Sequence, residues 1–200
     1  MEKYRAGAHC IGYGCDKGAH PCSISGMRTE QTYILPEPYV FVASGGGKLS
    51  PAQVVASMAS FMSADTTHPY KVTIGTDSEG MADKRADFVT AIVIHRVGNG
   101  GIYFYRRIVG EKKFHTLRDR IYGEVLLSLE IAHHFLSVAR AAELPHFDFE
   151  IHVDVGTEGA TKSMLQELVG MIRANNFTAK TKPDSYAASK VADRHGMKND

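Results

Sequence analysis

Two aspartates lie where the surrounding sequence should bury them. Asp77 closes the run Ile74-Gly75-Thr76-Asp77, and Asp154 sits inside Phe149-Glu150-Ile151-His152-Val153-Asp154-Val155. A carboxylate in a core strand loses hydration and needs a cation, a metal ion or several hydrogen-bond donors to offset that loss. On neighbouring strands two such groups repel, which raises one pKa sharply unless a divalent ion sits between them. Glu124 precedes the Asp154 strand and Asp193 lies near the chain end, so flanking helices could aim both acids at the same place. Taken singly, each of the four reads equally well as a surface acid or a helix cap. Clustered, they would suit Mg²⁺ or Mn²⁺, hard cations that take oxygen ligands and keep waters for a substrate to replace.

The elements that would carry these acids follow from local pattern. Ser50-Pro51-Ala52-Gln53 has Ser at a helix N-cap, Pro at the first helical position and Gln where a capping box needs it. Val54, Val55, Met58, Phe61 and Met62 then recur at helical spacing, which predicts an amphipathic helix over 51–63. Three strands follow at Lys71–Asp77, Ala86–Val97 and Gly101–Val109, the last two joined by the hairpin signal Gly98-Asn99-Gly100-Gly101. A long helix is predicted from Arg118 to Leu144, where Pro145 stops it. Phe147–Val155 reads as a buried strand, Thr161–Ala174 as a helix, Phe177–Lys180 as a short strand and Ser185–Arg194 as a last helix. The order is that of an α/β protein: three antiparallel strands, then β-α-β-α, in a mixed sheet with helices on its faces.

Composition bounds the rest. The chain has 200 residues, with 23 Lys+Arg against 22 Asp+Glu, which excludes a strongly cationic nucleic-acid coat. Residues 1–35 are Gly-, Cys- and His-rich without sustained periodicity and read as an N-terminal extension to a domain spanning 36–200. Cys10, Cys15 and Cys22 lack the paired Cys-x2-Cys of common structural zinc sites, so zinc is not expected there, nor is a disulfide framework. The longest clean apolar stretch, Phe88 to Ile94, is too short to span a bilayer, and the first residues lack a signal-peptide core, so a cytoplasmic protein without membrane contact is expected. Gly45-Gly46-Gly47-Lys48 is not a phosphate loop, because Leu49 replaces the required Ser or Thr.

With its acids at the end of the first strand, in the long helix, on the fourth strand and in the last helix, the chain resembles the ribonuclease H-like superfamily. Ile74-Gly75-Thr76-Asp77-Ser78, Arg120-Ile121-Tyr122-Gly123-Glu124, His152-Val153-Asp154-Val155-Gly156 and Ala187-Ala188-Ser189-Lys190-Val191-Ala192-Asp193-Arg194 are similar to its small YkuK-like branch, over roughly Lys48 to Lys198. The resemblance implies that Asp77 and Asp154 bridge metal ions and that Glu124 and Asp193 complete the set. Glu130 competes with Glu124, but six residues along a helix turn it by about 240°. Glu124 is nearer the helix start and is preferred.

Such a quartet, holding one or two Mg²⁺ or Mn²⁺ ions, would hydrolyse phosphodiester bonds in a nucleic acid by two-metal chemistry. His195, close to Asp193, is a candidate proton carrier, although a lone His near a chain end is more often just solvated. Basic residues cluster between Arg106 and Arg120 and between Lys180 and Lys198 and could meet phosphates, although no interleaved aromatic platform for a single strand is evident. The rival from another class is a non-catalytic module that binds nucleic acid or protein on the same fold. A third reading starts from Val153-Asp154-Val155-Gly156-Thr157 and Gly75-Thr76-Asp77-Ser78, which look like the phosphate loops of actin-like ATP-binding domains. Those use two such domains, and this chain has room for one.

Overall fold

The computed structural model describes residues 39–110, 112–158 and 161–195, without the side chains of residues 188, 189, 192 and 193. All of them belong to a single compact unit, residues 36–200. The cysteine-rich extension, and with it the expectation that it holds no zinc, lies outside the described residues.

Seven strands form one mixed sheet in the order β2-β1-β5-β4-β3-β6-β7. Its centre is the meander β3 (Tyr70–Gly80), β4 (Ala86–Arg96) and β5 (Gly101–Ile108), paired antiparallel throughout. β6 (Phe147–His152) runs parallel to β3, and β7 (Thr178–Lys180) runs parallel to β6. The two short strands β1 (Phe41–Ala43) and β2 (Lys48–Leu49), absent from the sequence reading, extend the β5 edge.

Helices cover both faces. α1 (Pro51–Ser63) begins with both reciprocal bonds of the capping box, between Ser50 and Gln53, and buries Val54, Val55, Met58 and Met62. It packs on α2 (Leu117–Ala139), which also contacts β3 and α3 (Leu165–Ala174). α4 (Ala187–His195) lies over β3 and β4 on the opposite face. Strand alternation assigns the faces. Thr76 bonds to Ser128 of α2, whereas His152, whose register partner is Gly75, bonds to the start of α4. The core between the sheet and α2 contains Val72, Ile74, Ile92, Ile94, Val125, Ile131, Phe135 and Ile151.

Several predicted boundaries shift. β3 does not close at Asp77 but stays paired with β4 as far as Gly80, and α3 begins at Leu165 rather than Thr161, after a 3-10 turn over Lys162–Met164. α2 ends at Ala139 rather than Leu144, because Arg140, Ala141 and Ala142 leave the helix in a turn. β6 ends at His152, although Val153 and Val155 stay buried and keep backbone bonds to Lys180 and Lys182. Buried apolar chain that is not regular strand carries the same residue types as strand, which is why the run read as one element through Val155.

Candidate functional site

The register of β3 and β6 determines where the two aspartates emerge. Their last parallel pair is Gly75 with His152, and Asp77 and Asp154 each follow two residues later, so both lie just past the end of the β3–β6 pairing, Asp77 still within β3 and paired with β4, Asp154 beyond the end of β6. Adjacent strands lie about 4.8 Å apart. Asp77 falls on the α4 face of β3, and one of its carboxylate oxygens accepts the Ser78 backbone N–H at 2.8 Å. Ser78 points the other way, toward α2, and its hydroxyl donates to Glu124 Oε1.

Glu124 is buried, with 7% of its surface exposed. Loss of hydration pushes its pKa up to about 8; the Ser78 hydrogen bond and Arg120 oppose the rise, and the negative charges of Asp77 and Asp154 add to it. Glu124 therefore lies close enough to both aspartates to sense their charge. Arg120, one turn earlier on α2, donates to both the Ser78 carbonyl and its hydroxyl, pinning the β3 end beside the helix.

Asp154 Oδ2 pairs with Lys182 Nζ at 3.1 Å, while its Oδ1 is buried with no hydrogen-bond partner. A buried, unsatisfied carboxylate oxygen calls for a cation or a donor. Behind the acids runs a buried hydroxyl chain in which Thr90 bonds to Thr76 at 2.8 Å and Ser128 donates to Thr76 at 2.9 Å. Gly123 lets α2 approach closely, since a Cβ there would stand 3.3 Å from the Phe114 ring and 3.4 Å from the Phe88 ring.

Glu130, the rival helix acid, goes elsewhere. Its Oε1 accepts the Tyr39 hydroxyl at 2.6 Å, and its surroundings are Arg106 and His134 rather than the two aspartates. Asp193 lies on α4, which packs on β3 and β4, but its side chain is outside the described residues. His195 faces β5, with Nε2 2.9 Å from the Tyr103 hydroxyl and its ring stacked on Tyr105. Of the cations between Arg106 and Arg120, Arg107 pairs with buried Asp87, Arg118 with Glu167 and Arg120 with Ser78, while Lys112 and Lys113 remain exposed.

His152 is a functional candidate that the sequence did not signal. Its buried Nδ1 accepts the backbone N–H groups of Tyr186 and Ala187, at 3.1 and 3.3 Å, and so caps α4 with an imidazole. Burial lowers its pKa, Glu150 opposing. A neutral ring with Nδ1 as acceptor fits both facts.

Residues 53–197 match the family model described as Ribonuclease H-like. The chain belongs to the ribonuclease H-like family. Within it, the chain is 30% identical over 170 residues, 80% of its own length and 98% of the relative's, to the uncharacterized protein YkuK of Bacillus subtilis (strain 168). No solved structure matches. The sheet order and the helices on both faces agree with this ribonuclease H-like assignment, and among the described residues no helix is long and apolar enough to cross a membrane.

The family implies divalent ions, and the donors in this ribonuclease H-like chain suit them. They are all carboxylate oxygens, one of them buried without a partner and one carboxyl held near neutrality chiefly by burial, the two aspartates adding to it. As the side chains stand, however, no three His, Cys, Asp or Glu among the described residues are grouped tightly enough to hold an ion. Glu124 is turned to Ser78 and Asp154 to Lys182 instead.

Proposed function

We propose that this protein is a Mg²⁺- or Mn²⁺-dependent nuclease acting on phosphodiester bonds through Asp77, Glu124, Asp154 and Asp193. The observation that carries this reading is the in-step position of Asp77 and Asp154, each two residues past the last pair of the parallel strands β3 and β6, with the buried Glu124 sensing both charges. Bound there, divalent ions would lower the pKa of an attacking water and neutralise charge at the phosphate.

The chain's own groups set the conditions for that chemistry. Glu124, with its pKa at about 8, must give up a proton before it can act as a ligand, so cation uptake releases protons at neutral pH. The Ser78 hydroxyl must release Glu124, and Arg120 keeps that hydroxyl in place when it does. Lys182, half-exposed, must leave Asp154 and is then free to meet a substrate phosphate.

The Lys182–Asp154 ion pair favours one alternative, a module that binds nucleic acid without turnover, because the lysine already supplies the cation that the aspartate needs. Hydrolysis decides between the two. The purified chain is assayed on RNA, DNA and hybrid substrates with Mg²⁺ and with Mn²⁺. Asp77→Asn, Asp154→Asn and Glu124→Gln should each abolish cleavage, and Glu130→Gln should retain it. Cleavage that is equal in the wild type and Asp77→Asn would overturn the proposal, and divalent-ion binding without cleavage of any substrate would favour the module.

A further inference from the structure

A cavity of about 190 Å³ opens on the α4 face of the sheet. Val93 and Val191 supply apolar surface, Tyr103 and Tyr186 supply aromatic rings, and Lys190 and Arg194 stand on the α4 side. Both cations are exposed, and neither has an ion-pair partner among the described residues. The aromatic side is braced: His195 Nε2 lies 2.9 Å from the Tyr103 hydroxyl, and its ring stacks on Tyr105 with centroids 4.0 Å apart. Tyr186 is set edge-on against the buried His152 ring.

Register relates this cleft to the acids. Tyr103 pairs with Val93 and Val93 with Thr73, whereas Asp77 pairs with Val89 and Val89 with Arg107. The cleft therefore shares a sheet face with Asp77, two strands across and four residues down. Strand geometry makes that about 16 Å, a span of a few nucleotides.

We propose that this cleft is a base-stacking subsite for a single strand of nucleic acid, one base entering between the Tyr103 wall and α4 while its phosphates meet Lys190 and Arg194. Three features point to that occupant. The space is too small for a drug-sized ligand, for which pockets run from roughly 300 Å³ upward, yet it suits one flat ring system. Apolar and aromatic walls bind any base by its face, which is the sequence-tolerant contact of single-strand binders. Exposed cations at the rim with no ion-pair partner among the described residues complement a phosphate chain and would disfavour a neutral apolar peptide. The assignment of the strand as substrate rests on the nuclease reading above, but the subsite can be tested without turnover.

The test is fluorescence anisotropy of the full chain with labelled thymidine decanucleotide and with an abasic decamer of equal charge, in Ca²⁺ buffer. The base-bearing strand should bind at least about tenfold tighter, the loss expected when one base–aromatic stack is removed. Tyr103→Leu should erase that preference, Tyr103→Phe should keep it, and Lys190→Glu with Arg194→Glu should weaken both strands. Thermal unfolding of each variant separates loss of binding from loss of fold, and the exposed rim pair provides a readout that does not disturb the wall. Equal binding of the two decamers, a preference surviving in Tyr103→Leu, or thymidine monophosphate competing as well as the decanucleotide would each overturn the subsite. Base preference without Mg²⁺- or Mn²⁺-dependent cleavage refutes the nuclease and upholds the subsite; cleavage without base preference does the reverse.

Discussion

In the absence of divalent ions, replacing Glu124 by Gln should make the protein more stable, and increasingly so as the pH rises. The wild-type carboxyl titrates near the ordinary glutamate value of 4.5 when unfolded and at about 8 when folded. The folded state therefore holds a proton that the unfolded state has released, and stability from this group is full below pH 4.5 and falls as the pH rises toward 8. Each pH unit in that window is worth about 1.4 kcal/mol, so by pH 7 the wild type has lost about 3 kcal/mol. Glutamine carries no such penalty. It can still accept from Ser78, but its amide N–H groups need acceptors near the two aspartates, and imperfect pairing offsets about 1 kcal/mol. The net expectation is a gain of about 2 kcal/mol at pH 7, or roughly 4–8 °C in Tm for a domain of this size, nearly vanishing at pH 5. Thermal unfolding of both proteins in EDTA at pH 5, 7 and 8 measures it. Saturating Mn²⁺ should reverse the order, since the ion stabilises only a chain with its full ligand set. Parallel pH profiles for the two proteins would refute the argument, because they would mean that Glu124 does not sit among the other carboxylates in a dehydrated site.

Lys182→Met removes the cation that competes for Asp154, so Mn²⁺ affinity measured by calorimetry should rise about two- to fivefold, the scale of an exposed ion pair. Unchanged or weaker binding would show that the lysine does not compete. His152 has its pKa lowered on folding, so its contribution is complete above about pH 6.5 and fades as the pH falls below that; His152→Gln should flatten this acid limb of the unfolding curve, and an unaltered limb would mean that another group causes it. Gly110→Ala should destabilise by about 2 kcal/mol or more in urea unfolding, since its Cβ would lie 1.8 Å from the Ala86 carbonyl oxygen and the backbone has to move. Wild-type stability in that variant would show that the β4 end yields easily.

What could be read in advance was what is local. The capping box at Ser50, the Gly98–Gly101 hairpin and the apolar alternation of β3 and β4 each lie within a dozen residues, and all three stand in the structure. β1 and β2 are three and two residues long, too short to show a period, and exist through pairing with β5 and each other. At the site, Asp77 and Asp154 are conspicuous as acids in apolar runs, and helical rotation separates Glu124 from Glu130. The groups that hold them are not: Ser78, Arg120, Lys182 and His152 are ordinary polar residues whose partners lie on other elements. The tyrosines at 103 and 105 alternate along β5 as any half-buried strand would, and only α4 folding over that face makes them a wall.

Like charges gathered at one sheet end push their elements apart, so the frame must resist the push near each acid. Asp77 is one residue from Thr76, whose hydroxyl is tied to both Thr90 and Ser128. Glu124 is one helical turn from that same Ser128, which also donates to the Glu124 carbonyl. Asp154 follows His152 by two residues, and His152 fastens the start of the helix that carries Asp193. Each carboxylate thus lies within about a turn of a buried hydrogen bond between elements. In a close-packed interior such bonds are expensive to leave unmade, so repulsion is not relieved by drifting strands and helices. It is relieved at the side chains instead, by the proton on Glu124 and the Lys182 ammonium on Asp154, the two charges that an incoming divalent ion would replace.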